Sequence, residues 1–163
     1  MKKQKGFSLI ELLIVVAIIL IIAAIAIPNL LRSKMAANES SAVGSMRSIN
    51  TAEVSYNTAY PNSGFSPTIA ALGGVAPCAV ASTAAACLID NTLALASGAA
   101  TGKSGDWFTY APGAAVGGVT NVYTITGTPS VLGTTGQRGF FTDQTGVIRY
   151  AISGVATVAS SPI

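Results

Sequence analysis

The sequence predicts an α+β protein in which one long N-terminal helix packs on a small C-terminal antiparallel sheet. Three observations support this class: residues 12–27 are all apolar, an amphipathic pattern continues to about residue 60, and strand-like segments begin after Gly98. Apolar residues at i, i+3 and i+4 are typical of a helix. Short β-branched or aromatic segments bounded by turn residues are typical of strands.

The composition of the 163-residue chain differs from that of an ordinary soluble domain. Half of its residues are hydrophobic and only 9% are charged, whereas about 25% are charged in a typical soluble domain. Because the chain has no histidine, six acidic residues and two cysteines, groups for acid–base catalysis or metal binding are few. We expect no enzyme activity, no cofactor and no metal. Lys2, Lys3 and Lys5 concentrate basic charge at the N-terminus, so we expect no nucleic-acid site on the folded body.

The apolar run is long enough to cross a membrane. A helix over residues 12–31 would extend about 30 Å, which matches the hydrocarbon core of a bilayer. The lysines before the run predict a cytoplasmic N-terminus, although Arg32 and Lys34 beyond it count in the other direction. A secretory signal peptide and a plain membrane anchor are alternatives. The first lacks a good small-residue cleavage site, and neither accounts for Glu11.

The residues just before the apolar run indicate a class of protein more specifically than the length of the run does. Residues 5–12 read KGFSLIEL, which resembles the class III leader junction of type IV pilins and their relatives. The resemblance implies that residues 1–6 are a leader peptide and that a prepilin peptidase cuts after Gly6. It also implies that the same enzyme methylates the new N-terminal residue, Phe7. The function it implies is that of a structural subunit of a type IV pilus filament.

Glu11 is the residue to which this resemblance gives a role in assembly. A charged side chain inside a transmembrane helix costs about 2.5–3.5 kcal/mol on insertion scales. Snorkelling to the membrane interface would explain why Glu11 is tolerated but would give it no task. Cleavage would give Phe7 a positive amine, and opposite charges away from water attract strongly. We expect Glu11 of one subunit to meet the Phe7 amine of the next and to set the register of parallel helices.

Pro28 interrupts the apolar part of the helix. An interior proline removes one backbone hydrogen bond and kinks a helix, so a simple bend is one expectation. In the pilins that this segment resembles, a proline at this place marks a stretch that loses helicity in the assembled filament. That resemblance makes residues 23–28 the weak stretch. The sequence leaves kinking and local melting open.

Beyond Arg32 the helix becomes amphipathic and is expected to pack on a small domain. The apolar stripe contains Ala42, Met46, Ile49 or Glu53, Tyr56 and Tyr60, and the other faces carry Glu39, Ser41, Ser45, Arg47, Asn50 and Ser55. We expect the whole helix to cover residues 8–59 and to end before Pro61. Residues 7–31 would form its transmembrane and filament-core half, and residues 32–60 its amphipathic half.

Residues 61–163 are expected to form a globular domain of loops and antiparallel strands. A short helix that begins near the Ser66-Pro67-Thr68 segment should end at Leu72. Three or four strands are expected, over residues 107–111, 121–126, 138–142 and 146–152. The last two should form a hairpin with a glycine-containing turn. Residues 139–150 also resemble a C-terminal hairpin of pseudopilin-like proteins, which keeps that branch open.

The two cysteines are expected to form a disulfide. Cys78 and Cys87 would lie outside the cytoplasm if the apolar helix crosses a membrane, and disulfides persist there. The bridge would tie down the alanine-rich loop over residues 75–88. In the loop-entropy model it would contribute about 2.5–3 kcal/mol.

Three aspartates and one glycosylation triplet have simple structural interpretations. Asp90, Asp106 and Asp143 lack the dense carboxylate spacing of a calcium loop, so we expect each in a turn or a cap. Asn38-Glu39-Ser40 matches a glycosylation triplet, but it lies inside the predicted helix.

The resemblance implies a homopolymer with defined partners and locations. The subunit would first sit in the inner membrane with a single pass and a cytoplasmic N-terminus, and would then enter a cell-surface filament. An inner-membrane assembly platform and an assembly ATPase would be partners, and adhesion, motility or DNA uptake would be the uses of the filament. One alternative is a type II secretion pseudopilin in a short periplasmic filament. Another is an anchored binding domain that never polymerises and keeps Met1.

Overall fold

The computed structural model of the chain describes residues 7–74, 78, 80–152 and 155–163. Within them, three helices come before five strands. The helices are α1 (Leu9–Ala59), α2 (Ile69–Leu72) and α3 (Asn91–Ala94). The predicted long helix is confirmed, since it starts one residue later than expected and ends at the expected residue.

The chain divides into two compact units, Met1–Lys34 and Met35–Ile163. In the first unit the described structure consists of the apolar part of α1, and Pro28 lies inside this helix. In the second unit the rest of α1 is accompanied by the two short helices and the sheet. The hydrophobic core of the described residues lies in the second unit.

One face of α1 is buried in the second unit. Its buried residues are Glu39, Ala42, Ser45, Met46, Ile49, Ala52, Glu53 and Tyr56. The predicted apolar stripe is therefore largely confirmed, and Tyr60 packs against the core while partly buried. The assignment of Glu39 and Ser45 to the solvent-facing side is wrong, because both are buried. A carboxylate and a hydroxyl are tolerated there because each has a polar partner from the rest of the domain.

The sheet is antiparallel throughout and its spatial order follows the chain, β1-β2-β3-β4-β5. Its strands are β1 (Asp106–Pro112), β2 (Tyr123–Pro129), β3 (Arg138–Asp143), β4 (Arg149–Ile152) and β5 (Ser161–Pro162). Phe108, Tyr123, Ile125 and Phe140 from three of these strands are buried in the same core as α1. This arrangement confirms the predicted α+β class with one helix packed on an antiparallel sheet.

Two elements were not predicted, and two strands have other bounds than expected, since β2 was expected over residues 121–126 and β4 over residues 146–152. The sheet has five strands where three or four were expected, since the two-residue strand β5 pairs with β4. The four-residue helix α3 was not predicted, although Asp90 caps it by accepting a hydrogen bond from the amide of Leu93 at 2.6 Å. The predicted hairpin of β3 and β4 is confirmed, and its turn contains Gly146 with φ of 74°.

A row of hydroxyl groups follows the exposed side of α1 in the second unit. Each hydroxyl donates to the backbone carbonyl four residues earlier in the same helix, as is common for serine and threonine in helices. The donors are Ser40, Ser48, Thr51, Ser55 and Thr58, at 2.9–3.1 Å from their acceptors. These side chains are therefore satisfied by the helix itself.

Candidate functional site

The candidate functional site is the start of α1, where Phe7, Ser8 and Glu11 lie together. Phe7 is 77% exposed. The backbone amide of Ser8 donates a hydrogen bond to Oε2 of Glu11 at 2.9 Å. Because the first amides of a helix have no partner within the helix, this contact satisfies one of them. Glu11 thus caps its own helix, and a carboxylate oxygen still has capacity for further donors.

The local capping role of Glu11 was not predicted, although the sequence contains a signal for it. Ser8 and Glu11 stand in the S-x-x-E spacing of a capping box, in which the acidic side chain reaches back to the amide at the N-cap. The structure contains that half of the box. The negative charge also lies at the helix N-terminus, where the helix dipole favours it.

The large apolar side chains of the first unit are exposed. The large aliphatic residues that follow Glu11 are 44–64% exposed from Leu12 to Ile27. Within α1 an 18-residue window has a mean hydropathy of 3.3 and contains no buried residue. By length and composition this is the one helix among the described residues that could span a membrane. Apolar surface of this extent marks a lipid-facing or protein-facing contact.

The cleavage point and the behaviour of Pro28 stay predictions. Gly6, the residue before the expected cleavage point, lies outside the described residues. Pro28 is enclosed by helix on both sides, and its kinking or melting in a filament stays a prediction.

The predicted disulfide between Cys78 and Cys87 is present. Their Cα atoms are 6.2 Å apart, within the range that a disulfide spans. Gly74 lies against the bridge, and a side chain at this position would meet both sulfur atoms. Cys87 has φ of 59°, a left-handed conformation that is unfavourable for a residue with a side chain. The bridge therefore lies in a tightly constrained loop; neighbouring residues 75–77 and 79 lie outside the described part.

Glu39 connects α1 to the start of β3. Its Oε1 accepts from the backbone amides of Gln137 and Arg138 at 2.8 and 3.0 Å, and its Oε2 accepts from Nε of Arg138 at 2.7 Å. Burial opposes the charge of Glu39, but these amides and the guanidinium outweigh it and hold its pKa below the ordinary value. The guanidinium also lies 5.7 and 5.4 Å from the ring centres of Phe140 and Tyr150, at cation–π distance.

Glu53 is the second buried carboxylate of α1, and no cation of the described residues pairs with it. Its two oxygens accept from the backbone amide and the hydroxyl of Ser66 at 2.9 and 2.5 Å. The hydroxyl of Tyr110 donates to the carbonyl of Ser66 at 2.7 Å. Burial raises the pKa of Glu53 despite these hydrogen bonds. The network ties α1 to the segment before α2 and to β1.

The three aspartates have different environments. Asp90 caps α3, and Asp143 accepts from the amide of Thr145 at 2.9 Å in the β3–β4 turn, as predicted. Asp106 closes a tight turn with Lys103 through its backbone, as predicted, but its side chain is fully buried and has no hydrogen-bond partner in the described structure. Within the described part of the chain, no group of three or more His, Cys, Asp or Glu residues could hold a metal ion.

Comparisons with known proteins concern the N-terminal part of the chain. Residues 1–27 match the family described as the prokaryotic N-terminal methylation motif. The chain is 62% identical over 39 residues to the type IV wide pilus major component PilA4 of Thermus thermophilus. It is 46% identical over 54 residues to the type IV major pilin protein PilA of Myxococcus xanthus. No solved structure matches it significantly.

These matches cover limited parts of the proteins compared. They include 24% and 33% of this chain, and the chain spans 30% and 24% of the length of the two relatives. The exposed apolar start of α1, with its acid-capped first turn, is the part of the chain to which these matches apply. The methylation motif and the two relatives show that the N-terminal part of the chain is similar to that of type IV pilins.

Proposed function

We propose that this chain is a structural subunit of a type IV pilus and polymerises through the apolar first part of α1. The observation that carries the proposal is the exposed aliphatic surface of residues 12–27, which starts directly after the capped turn of Glu11. Burying such surface is favourable by about 25 cal/mol per Å² removed from water, although a membrane already provides part of that gain. A second copy of the same helix would cover it after extraction from lipid.

Processing at the junction would prepare the subunit for assembly. A prepilin peptidase would remove residues 1–6 by cutting after Gly6, and Phe7 would then carry a methylated N-terminal amine. The match of residues 1–27 to the methylation motif supports this step. The high exposure of Phe7 is compatible with access by an enzyme.

Glu11 would then have two tasks in succession. In the single subunit its carboxylate accepts a hydrogen bond from the amide of Ser8. In the filament the same carboxylate would also receive the positive amine of Phe7 from a neighbouring subunit. Away from water an unpaired carboxylate is costly, so registers that leave Glu11 without an amine would be disfavoured. Parallel stacking of α1 would thereby acquire a fixed axial offset.

The proposed life history has a membrane stage and a filament stage. Before assembly the subunit would cross the inner membrane once, with Lys2, Lys3 and Lys5 on the cytoplasmic side. An assembly platform and an assembly ATPase would extract it and add it to the filament. Residues 61–163 would form the outer part of the filament and decide whether it serves adhesion, motility or DNA uptake. The Cys78–Cys87 bridge suits a domain outside the cytoplasm.

A secretion pseudopilin is the alternative within the same superfamily. Both relatives are named as pilus components, so this alternative is not favoured over a pilin. Electron microscopy of cells separates the two. Long surface filaments support the pilin, whereas retention of secreted enzymes in a deletion strain supports the pseudopilin.

Intact mass spectrometry of the mature chain tests the processing step directly. We expect a mass that corresponds to a chain starting at Phe7, with one added methyl group and two hydrogens lost at the disulfide. A chain that retains residues 1–6 and carries no methyl group contradicts the proposal.

Variants of Glu11 separate its charge from its capping role. Glutamine also fits a capping box, so Glu11→Gln keeps the acceptor for the Ser8 amide but removes the charge, whereas Glu11→Val removes both. We expect both variants to enter the membrane and to yield far fewer filaments than wild type. Ser48→Ala, an exposed position on the second half of α1, is the control and should assemble normally. Normal assembly by Glu11→Gln would show that the charge has no role in register.

A further inference from the structure

Asp106 is a buried carboxylate that the proposed assembly mechanism does not use. It is the first residue of β1, is 0% exposed and lies opposite Pro129 of β2. It shares the core-facing side of β1 with Phe108, two residues later. Neither of its carboxylate oxygens has a hydrogen-bond partner in the described structure. An ionised carboxylate without a partner is costly at such a position.

The backbone around Asp106 is held tightly against α1 and the β2–β3 connection. Asn38 of α1 donates to the carbonyl of Thr135 at 2.8 Å, and Gly105 packs directly on both residues. The amide and carbonyl of Asp106 exchange hydrogen bonds with those of Lys103. The side chain of Asp106 therefore cannot reach solvent unless this corner of the domain opens.

The nearby cations are already engaged with other groups. Arg138 at the start of β3 pairs with Glu39 of α1. Lys103, in the turn before β1, directs its Nζ to Oγ of Ser45 at 3.4 Å and to Asp90 at 3.9 Å. The carboxylate of Glu39 is the charge that acts on Asp106, and it repels a second negative charge. Burial first, and then the charge of Glu39, raise the pKa of Asp106 to about 7.

We propose that Asp106 is a proton-binding site that controls the attachment of α1 to the start of β1 and β3. Neutral Asp106 lets the corner formed by Asn38, Gly105 and Thr135 stay closed. Ionised Asp106 favours an open corner in which its carboxylate reaches water. The contact between Glu39 and the amides of Gln137 and Arg138 adjoins this corner, so it loosens at the same time.

The direction of the pH effect follows from proton linkage. The acid binds its proton more tightly in the closed corner than in an open, solvated one. The closed corner is therefore fully stable below the ordinary pKa of an aspartate, near 3.8. It becomes less stable as the pH rises towards about 7, and then changes no further because Asp106 is ionised in both states.

Hydrogen exchange on the full chain in detergent micelles tests the proposal. Protection of the Gln137 and Arg138 amides, corrected for the intrinsic exchange rate, should fall about tenfold per pH unit between pH 5 and 7. The protection of these amides should become constant above pH 7. Constant protection across the range in the wild-type chain would by itself refute the proposal.

Two variants identify the responsible carboxyl group. Asp106→Asn should make the protection of these amides independent of pH and higher than that of wild type at pH 8. Asp143→Asn is the matched control, because asparagine can still accept from the Thr145 amide, and it should keep the wild-type profile. A pH-dependent loss that persists in Asp106→Asn would assign the effect to another group and overturn the proposal.

Discussion

Arg138 donates twice to the carboxylate of Glu39, once from its backbone amide at 3.0 Å and once from Nε at 2.7 Å. The two donors come from one residue, so the contact fixes both the position and the direction of the chain as β3 begins. Glu39 lies on α1, 99 residues earlier in the sequence. The contact therefore sets the placement of the sheet along the helix.

Replacing Glu39 should destabilise the second unit. Glu39→Gln keeps one acceptor for the backbone amides but removes the charge that binds Arg138. Hydrogen bonds to charged groups contribute about 1.5–3 kcal/mol each. Because Arg138 is partly exposed, we expect the free energy of unfolding to fall by about 1–3 kcal/mol. Chemical denaturation of the full chain, followed by the fluorescence of its single tryptophan, Trp107, measures this change.

The pH dependence of the same variant checks the mechanism. Since the folded pKa of Glu39 is lowered, the stability it contributes is present above its ordinary pKa of 4.5 and is lost as the pH falls. Glu39→Gln should lack this component of acid destabilisation. Ser40→Ala changes the neighbouring, exposed position and should behave as wild type. Equal stability of Glu39→Gln and Ser40→Ala would show that the contact contributes nothing.

Removal of the disulfide should lower stability by about 2.5–3 kcal/mol in the loop-entropy model. We expect the Cys78→Ser/Cys87→Ser double variant and the reduced wild-type chain to unfold at the same lower denaturant concentration. Adding reductant should not change the double variant further. The prediction fails if reduction leaves the unfolding midpoint of the wild-type chain unchanged.

Two glycines with the same backbone conformation should respond differently to alanine. Gly64 and Gly146 have φ of 75° and 74°, but a side chain at Gly64 would collide with the backbone of Thr120, whereas nothing lies within 4 Å at Gly146. Gly146→Ala should lower the free energy of unfolding only by the cost of the left-handed conformation, about 1–2 kcal/mol. Gly64→Ala should lower it further, because the paired segments at Phe65 and Thr120 must separate. Equal losses in denaturation would contradict this explanation.

The helix and most strands could be predicted because their signals are local. The spacing of Ala42, Met46 and Tyr56 is enough to define a buried stripe. The turn between β3 and β4 has its own signature in Asp143 and Gly146. The signal for the start of α1 is also local, since Ser8 and Glu11 have the spacing of a capping box.

The buried polar groups could not be predicted because their partners are distant in sequence. Glu39 looks like a solvent-facing residue until the amides of Gln137 and Arg138 are placed beside it. Asp106 resembles an ordinary turn aspartate, and its burial follows from tertiary packing at this corner, where Asn38 and Thr135 lie against its neighbour Gly105. The short elements α3 and β5 contain too few residues for a periodic pattern to appear.

The hydroxyl row on the exposed side of α1 has a consequence for packing between subunits. Burying polar side chains in an interface without water is ordinarily unfavourable, because each hydroxyl donor would lose its hydrogen bond to water. Ser40, Ser48, Thr51, Ser55 and Thr58 already donate to their own helix. A neighbouring surface of small apolar residues can therefore displace water from this side of the helix, and the hydroxyl groups keep their hydrogen-bond acceptors.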